Sequence, residues 1–224
     1  MNTHLVEHTV FKASEQIDKI ISLLKQQPFY RQYNFAKGKH LSDHGIWGGQ
    51  HVLIIEQGSV SIQRVSSGKM MAICEAPNMI GIGELLLNQR FHEVVAETDI
   101  VMAYAPYDDF VLFLRENHLW KDICYVLSAH AQVLYSRLAN TDSRRAYNIV
   151  KTYLIELEFM SPDFRQSIAV WKYLQNLTVL SRSAIMSILS ELRNQKCIEM
   201  KDGKLLKINR LPDELIAQQV QEKK

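Results

Sequence analysis

At 224 residues, with 47% hydrophobic and 22% charged side chains, the chain exceeds one typical domain and has enough apolar material for two with cores of their own. Its longest apolar runs, such as Val52–Ile55 and Leu85–Leu87, are far too short to span a bilayer. The net charge of +2 hides an asymmetry: residues 1–143 hold 12 Lys/Arg against 15 Asp/Glu, residues 144–210 hold 12 against 6, and the tail holds 2 against 3, which points to a polyanion-binding region near the C-terminus.

The N-terminal stretch lacks the basic start and apolar core of a secretory signal, so a cytoplasmic protein is expected. Next, Ile17, Ile20, Ile21 and Leu24 recur at helical spacing, and Pro28 closes that helix. From Tyr33 to about Tyr104 the texture changes to short Val- and Ile-rich runs separated by Gly, Asn, Asp and Ser: Val52–Ile55, Val60–Ile62, Met71–Cys74, Val94–Ala96 and Ile100–Ala103. Strands at that spacing predict an all-β barrel or sandwich. Within this region His40 and His44 lie between Gly38 and Gly45, which favours a surface loop over a metal site. Cys74, Cys124 and Cys197 are too scattered for a disulfide framework, a metal knuckle or an iron–sulfur ligand set, so neither a metal nor a cofactor is expected.

Residues Tyr107–Asn140 contain neither Gly nor Pro and read as helical. Leu119, Ile123, Val126, Leu127, His130, Val133, Leu134 and Leu138 step at three and four residues, a stripe suited either to a partner helix or to the helix's own domain. A second amphipathic helix over Ser143–Phe159 is followed by two short ones. Ile198–Met200 and Leu205–Ile208 then flank Asp202-Gly203, a hairpin turn signal. Helices followed by a hairpin in about seventy residues is the order of a winged helix.

The last helix of that series carries the chemistry. Ser181 is placed as its N-cap, and Ile185, Ile188, Leu189 and Leu192 form its buried face. The opposite face offers Arg182, Ser183, Met186, Ser187 and Ser190, with Arg193 at the far end. Small polar groups and an arginine, without a carboxylate from Arg182 to Ser190, suit a major groove. Lys172 and Gln175 on the preceding helix, and Lys201, Lys204 and Lys207 around the hairpin turn, are candidate phosphate contacts.

The stretch Val179–Ile198 resembles the helix-turn-helix of the CRP/FNR superfamily in its Ser-Arg start, its apolar spacing and its Leu-x-x-Gln-x-x-Ile run into the wing. Lys37-Gly38, Gly45, Ile54–Val60 and Gly81–Leu85 resemble that superfamily's cyclic-nucleotide-binding β-roll. Within the superfamily, the overall texture is most similar to one enterobacterial subgroup. The resemblance implies an α+β chain: a jelly-roll-type β-roll with an N-terminal helix over 1–106, a helical region with a dimerisation helix over 107–141, a winged helix-turn-helix over 142–212 and a tail over 213–224. It also implies a homodimer whose seam is the Leu119–Leu138 stripe. Its duplex DNA site would be pseudo-palindromic, and RNA polymerase would be a further partner.

Two departures from the family pattern alter these expectations. Arg182 matches the first of the family's Arg-Glu-x-x-x-Arg readers, but Ser183 and Ser187 stand at the other two, so the operator should differ. Gly83-Glu84 match the start of the phosphate motif, and Arg90 aligns with its arginine, but the loop is short and Phe91 replaces a hydroxyl donor. An apolar ring cannot compensate an anionic phosphate, so cyclic AMP binding is not expected, and Glu84 can instead pair with Arg90. The alternative is a sensor using another effector or a redox-active thiol. No catalytic constellation or phosphate-binding glycine loop supports an enzyme.

Overall fold

The computed structural model describes residues 13–41, 51–84, 92–141, 146–213 and 215, and it divides the chain into two compact units, Met1–Arg137 and Leu138–Lys224.

The first unit opens with α1 (Ser14–Leu24), whose Ile17, Ile20, Ile21 and Leu24 are all buried. The strands follow: β1 (Gln32–Phe35), β2 (His51–Gln57), β3 (Ser59–Arg64), β4 (Met70–Glu75), β5 (Asn78–Ile80), β6 (His92–Ala96) and β7 (Ile100–Pro106). They form two antiparallel sheets, ordered β1-β7-β2-β5 and β4-β3-β6. The five runs picked out by their branched residues are all strands, while β1 and β5 escaped the sequence reading. Both are short, and β1 alternates between exposed and half-buried positions without a branched residue.

The run Val52-Leu-Ile-Ile55 shows why β2 is continuously apolar. Successive strand side chains point to opposite faces, and here both faces are covered. Leu53 and Ile55 join Val60, Val94, Ile100 and Met102 in one cluster, which draws on both sheets. Val52 and Ile54 join Ile17, Ile20, Phe110 and Phe113 in another, beneath the helices. Gly58, at φ +83°, carries the chain from one sheet to the other; a Cβ there would lie 2.3 Å from the Asp99 carbonyl oxygen. Beside it Glu56 receives Lys25 Nζ at 2.6 Å, Gln32 Nε2 at 2.7 Å and the Tyr30 hydroxyl. Burial pushes this carboxyl up, but those three donors outweigh it and leave it below the usual carboxylate range.

The helical segment after β7 consists of two helices, α2 (Tyr107–Glu116) and α3 (Trp120–Thr141). The break is a Schellman closure, with Leu119 N–H donating to Leu114 O at 2.9 Å and His118 N–H to Arg115 O at 3.3 Å. His118 takes the left-handed conformation, φ 53°, that glycine usually supplies, so the absence of Gly and Pro concealed it. The structure describes the side chains of α3 only as far as Tyr135.

The second unit contains α4 (Ala146–Phe159), α5 (Pro162–Ser167), α6 (Val170–Leu177), α7 (Arg182–Asn194) and the hairpin β8 (Ile198–Lys201) with β9 (Lys204–Ile208). Tyr153 and Leu154 of α4, Phe164 of α5, Tyr173 and Leu174 of α6, and Ile185, Leu189 and Leu192 of α7 are buried. Tyr173 meets Tyr153 and Phe164 edge-on, at centroid separations of 6.4 and 6.3 Å. The hairpin turns on Asp202 and Gly203 with φ 51° and 77°, the two positive angles a type I′ turn requires. A helix series closed by this hairpin is a winged helix.

Candidate nucleic-acid interface and nucleotide-type pocket

Local sequence sets where α7 begins and ends. Ser181 Oγ accepts the Ala184 N–H at 3.2 Å, which satisfies one of the free donors of the first turn. At the other end Lys196, φ 55°, closes a second Schellman motif, with Cys197 N–H donating to Leu192 O at 2.8 Å and Lys196 N–H to Arg193 O at 2.9 Å. Between these stops, Ile185, Leu189 and Leu192 face the core, and Ile188 is half-buried at its edge.

The other face is open. Arg182, Ser183, Met186, Ser187, Ser190 and Arg193 are all exposed, as the sequence pattern expects. Ser183 Oγ lies 3.0 Å from Ser181 Oγ, so it is tied to the cap. Ser187 and Ser190 have no such tie among the described contacts. Arg182 lies over the Trp171 ring, its guanidinium carbon 4.2 Å from the centroid. Sequence reasoning missed Trp171; an aromatic beside Lys172 at the start of the first helix of the motif was the available signal.

On α6, Lys172 and Gln175 are exposed, while Leu174 and Leu177 are buried, as expected. The turn to α7 is held by Leu180 N–H donating to Thr178 Oγ1 at 3.3 Å, and it leaves Val179 84% exposed. In the hairpin Lys201 and Lys207 are exposed, but Lys204 is half-buried and donates to the Gln166 carbonyl oxygen. The turn itself is tied down, with Val170 N–H donating to Gly203 O at 2.9 Å.

In the first unit, Ile82–Glu84 form a single 3-10 turn, and Gly83 is exposed with open space where a Cβ would stand. Arg90 and Phe91 lie outside the described residues, as does any Glu84–Arg90 pairing. An open groove of about 350 Å³ is lined by Asn34, Phe35, Gln57, Asp99 and Ile100, with no residue of the Gly83 turn.

The stripe on α3 divides. Leu119, Ile123 and Val126 are 0, 2 and 0% exposed and belong to the core of their own unit. They leave no surface for a second copy, which corrects their assignment to the seam. Leu127 and Leu134 are exposed, at 36 and 51%, while His130 and Val133 are half-buried. His130 Nε2 lies 3.3 Å from Asn78 Oδ1, and burial holds the imidazole below its ordinary pKa. Tyr125 and Tyr135, 53 and 66% exposed, were missed because the reading followed aliphatic spacing. Among the three thiols Cys197 is buried, Cys74 half-buried and Cys124 exposed.

A strand roll followed by a winged helix with an open, polar α7 is the domain order of a cyclic nucleotide-binding-type domain joined to a helix-turn-helix DNA-binding domain. A cyclic nucleotide-binding domain matches residues 32–117 and a winged helix-turn-helix DNA-binding domain matches residues 146–213. The enterobacterial subgroup indicated by the texture of the chain is that of the Inhibitor of hydrogen peroxide resistance: the Escherichia coli K12 protein of that name is 25% identical over 207 residues, covering 92% of this chain and 99% of that one. In fold the chain is similar to the c-di-GMP-responsive global regulator CLP of Xanthomonas campestris, with TM-score 0.63 and 13% identity over 86% of this chain and 98% of that one. A CRP/FNR-family transcriptional regulator from Thermus thermophilus matches with TM-score 0.57 and 17% identity over 79% of this chain and 94% of its own. No helix among the described residues is long and apolar enough to cross a membrane.

Proposed function

We propose that the chain acts as a homodimer that reads a pseudo-palindromic duplex with α7, without a requirement for cyclic AMP. The observation that carries this reading is the surface of α7, where Arg182, Met186, Ser187 and Ser190 stand exposed above a buried apolar face. A rigid helix presenting one arginine, short hydroxyls and a thioether can donate to guanine edges and touch thymine methyls. Lys172, Lys201 and Lys207 flank it as phosphate contacts that set register. Ser183 serves mainly to hold the cap.

The partner copy packs on the exposed part of α3. Leu127 and Leu134 lie seven residues, two turns, apart, which is the spacing of a helix seam, and Tyr135 stands next to Leu134. His130 and Val133 border that seam. The nucleotide site is degenerate in this reading: the sequence keeps Gly83, Glu84 and Arg90, but Phe91 offers no hydroxyl for a cyclic phosphate. That the fold serves a regulator responsive to c-di-GMP accords with an input other than cyclic AMP. RNA polymerase is a further partner, and the protein works in the cytoplasm.

The test is operator affinity measured with and without cyclic AMP, using a duplex recovered from genome-wide occupancy. Equal affinity in both conditions is expected. A large gain on adding cyclic AMP overturns the nucleotide-independent reading.

A further inference from the structure

Arg182 begins α7, where the partial positive charge of the helix N-terminus disfavours a cation, and its side chain has several rotatable bonds. Left to itself the guanidinium would sample many directions. Instead it lies 4.2 Å above the centre of the Trp171 ring, which belongs to the first turn of α6. The negative face of the indole offsets the unfavourable end of the helix. Among the described residues no carboxylate pairs with Arg182. A guanidinium held over a ring spends none of its N–H donors on that contact, which leaves them for other partners.

We propose that Trp171 is a positioning residue for base recognition: it fixes Arg182 so that its forked edge meets one base pair instead of the nearest phosphate. This rests on the reading of α7 as the DNA-reading helix. A phosphate contact tolerates a mobile arginine, because the charge acts over several directions. Bidentate donation to a guanine does not. Trp171 therefore governs selectivity at one position more than total affinity.

The test uses the full chain and a duplex that the wild-type protein selects from a random pool. The base pair read by Arg182 is the one whose substitution no longer matters to Arg182→Ala. Trp171→Ala should lower affinity for the selected duplex about two- to fivefold and flatten the preference at that same base pair. It should leave affinity for a random-sequence duplex unchanged. Trp171→Phe should restore most of the preference, and the Trp171→Ala/Arg182→Ala double variant should bind as Arg182→Ala does. If Trp171→Ala does not fold, Trp171→Leu keeps apolar bulk without a ring face and should show the same flattening. Additive losses in the double variant, equal weakening on every duplex, or tighter binding without the ring would overturn the proposal. A wild-type chain that enriches no sequence overturns the reading of α7 itself, and this inference with it.

Discussion

In the proposed reading, sequence recognition turns on Arg182. Replacing it with Ala should cost about 1–3 kcal/mol on the preferred duplex and relax one base pair; titration against single-substituted duplexes checks this. Uniform weakening on all duplexes would make it a phosphate contact. Lys172 and Lys201 differ from it in kind: loss of either should reduce the salt slope of binding by about one without changing which sequence is preferred. Lys204, occupied with the Gln166 carbonyl, should have less effect than Lys201. In the first unit His130 has a pKa held down by burial. The folded state thus prefers the neutral ring, whereas the unfolded chain takes up a proton near pH 6.5. Its contribution to stability is complete above that pH and is lost as pH falls towards the lower folded value. Urea midpoints at pH 7.5 and 5.5 should therefore differ more for the wild type than for His130→Gln, and equal differences would contradict the assignment.

At the scale of elements, the winged helix owes its shape to α7 packing through Ile185, Leu189 and Leu192. Leu192→Ala should destabilise the second unit by about 2–5 kcal/mol, read from its thermal or urea transition. On α3, Leu134→Glu should dissociate the dimer in sedimentation with little loss of protomer stability, while Ile123→Ala should destabilise the protomer and leave association intact. The reverse result would return Ile123 to the seam. This division of α3 was only half legible in the sequence. A three-four stripe states that one face is apolar, but it cannot say which stretch faces its own sheet and which faces outward. The helix stop at His118 was hidden for a related reason, because a left-handed position filled by histidine looks like ordinary helix. Asp202-Gly203, Ser181 and the buried face of α7 were legible because cap and turn chemistry is local. Trp171 over Arg182 and Lys204 on Gln166 were not, because each joins residues brought together only by packing.

In the whole molecule, a roll whose phosphate motif departs from the family pattern it resembles is joined to a winged helix whose readers also depart from it. In the CRP/FNR pattern that α7 resembles, Arg182 matches one charged reader while Ser183 and Ser187 stand at two others, so the preferred sequence should depart from that of regulators carrying the full charged set. A homodimer reading a pseudo-palindrome would engage half-sites about one turn of DNA apart. Selection of duplex DNA from a random pool by the full wild-type chain, without cyclic AMP, tests this most directly. Enrichment of a pseudo-palindrome with half-sites about 10 base pairs apart is expected, with loss of preference at one symmetric pair of positions for Arg182→Ala. Absence of any enriched sequence, or enrichment of an asymmetric site indifferent to Arg182, would contradict it.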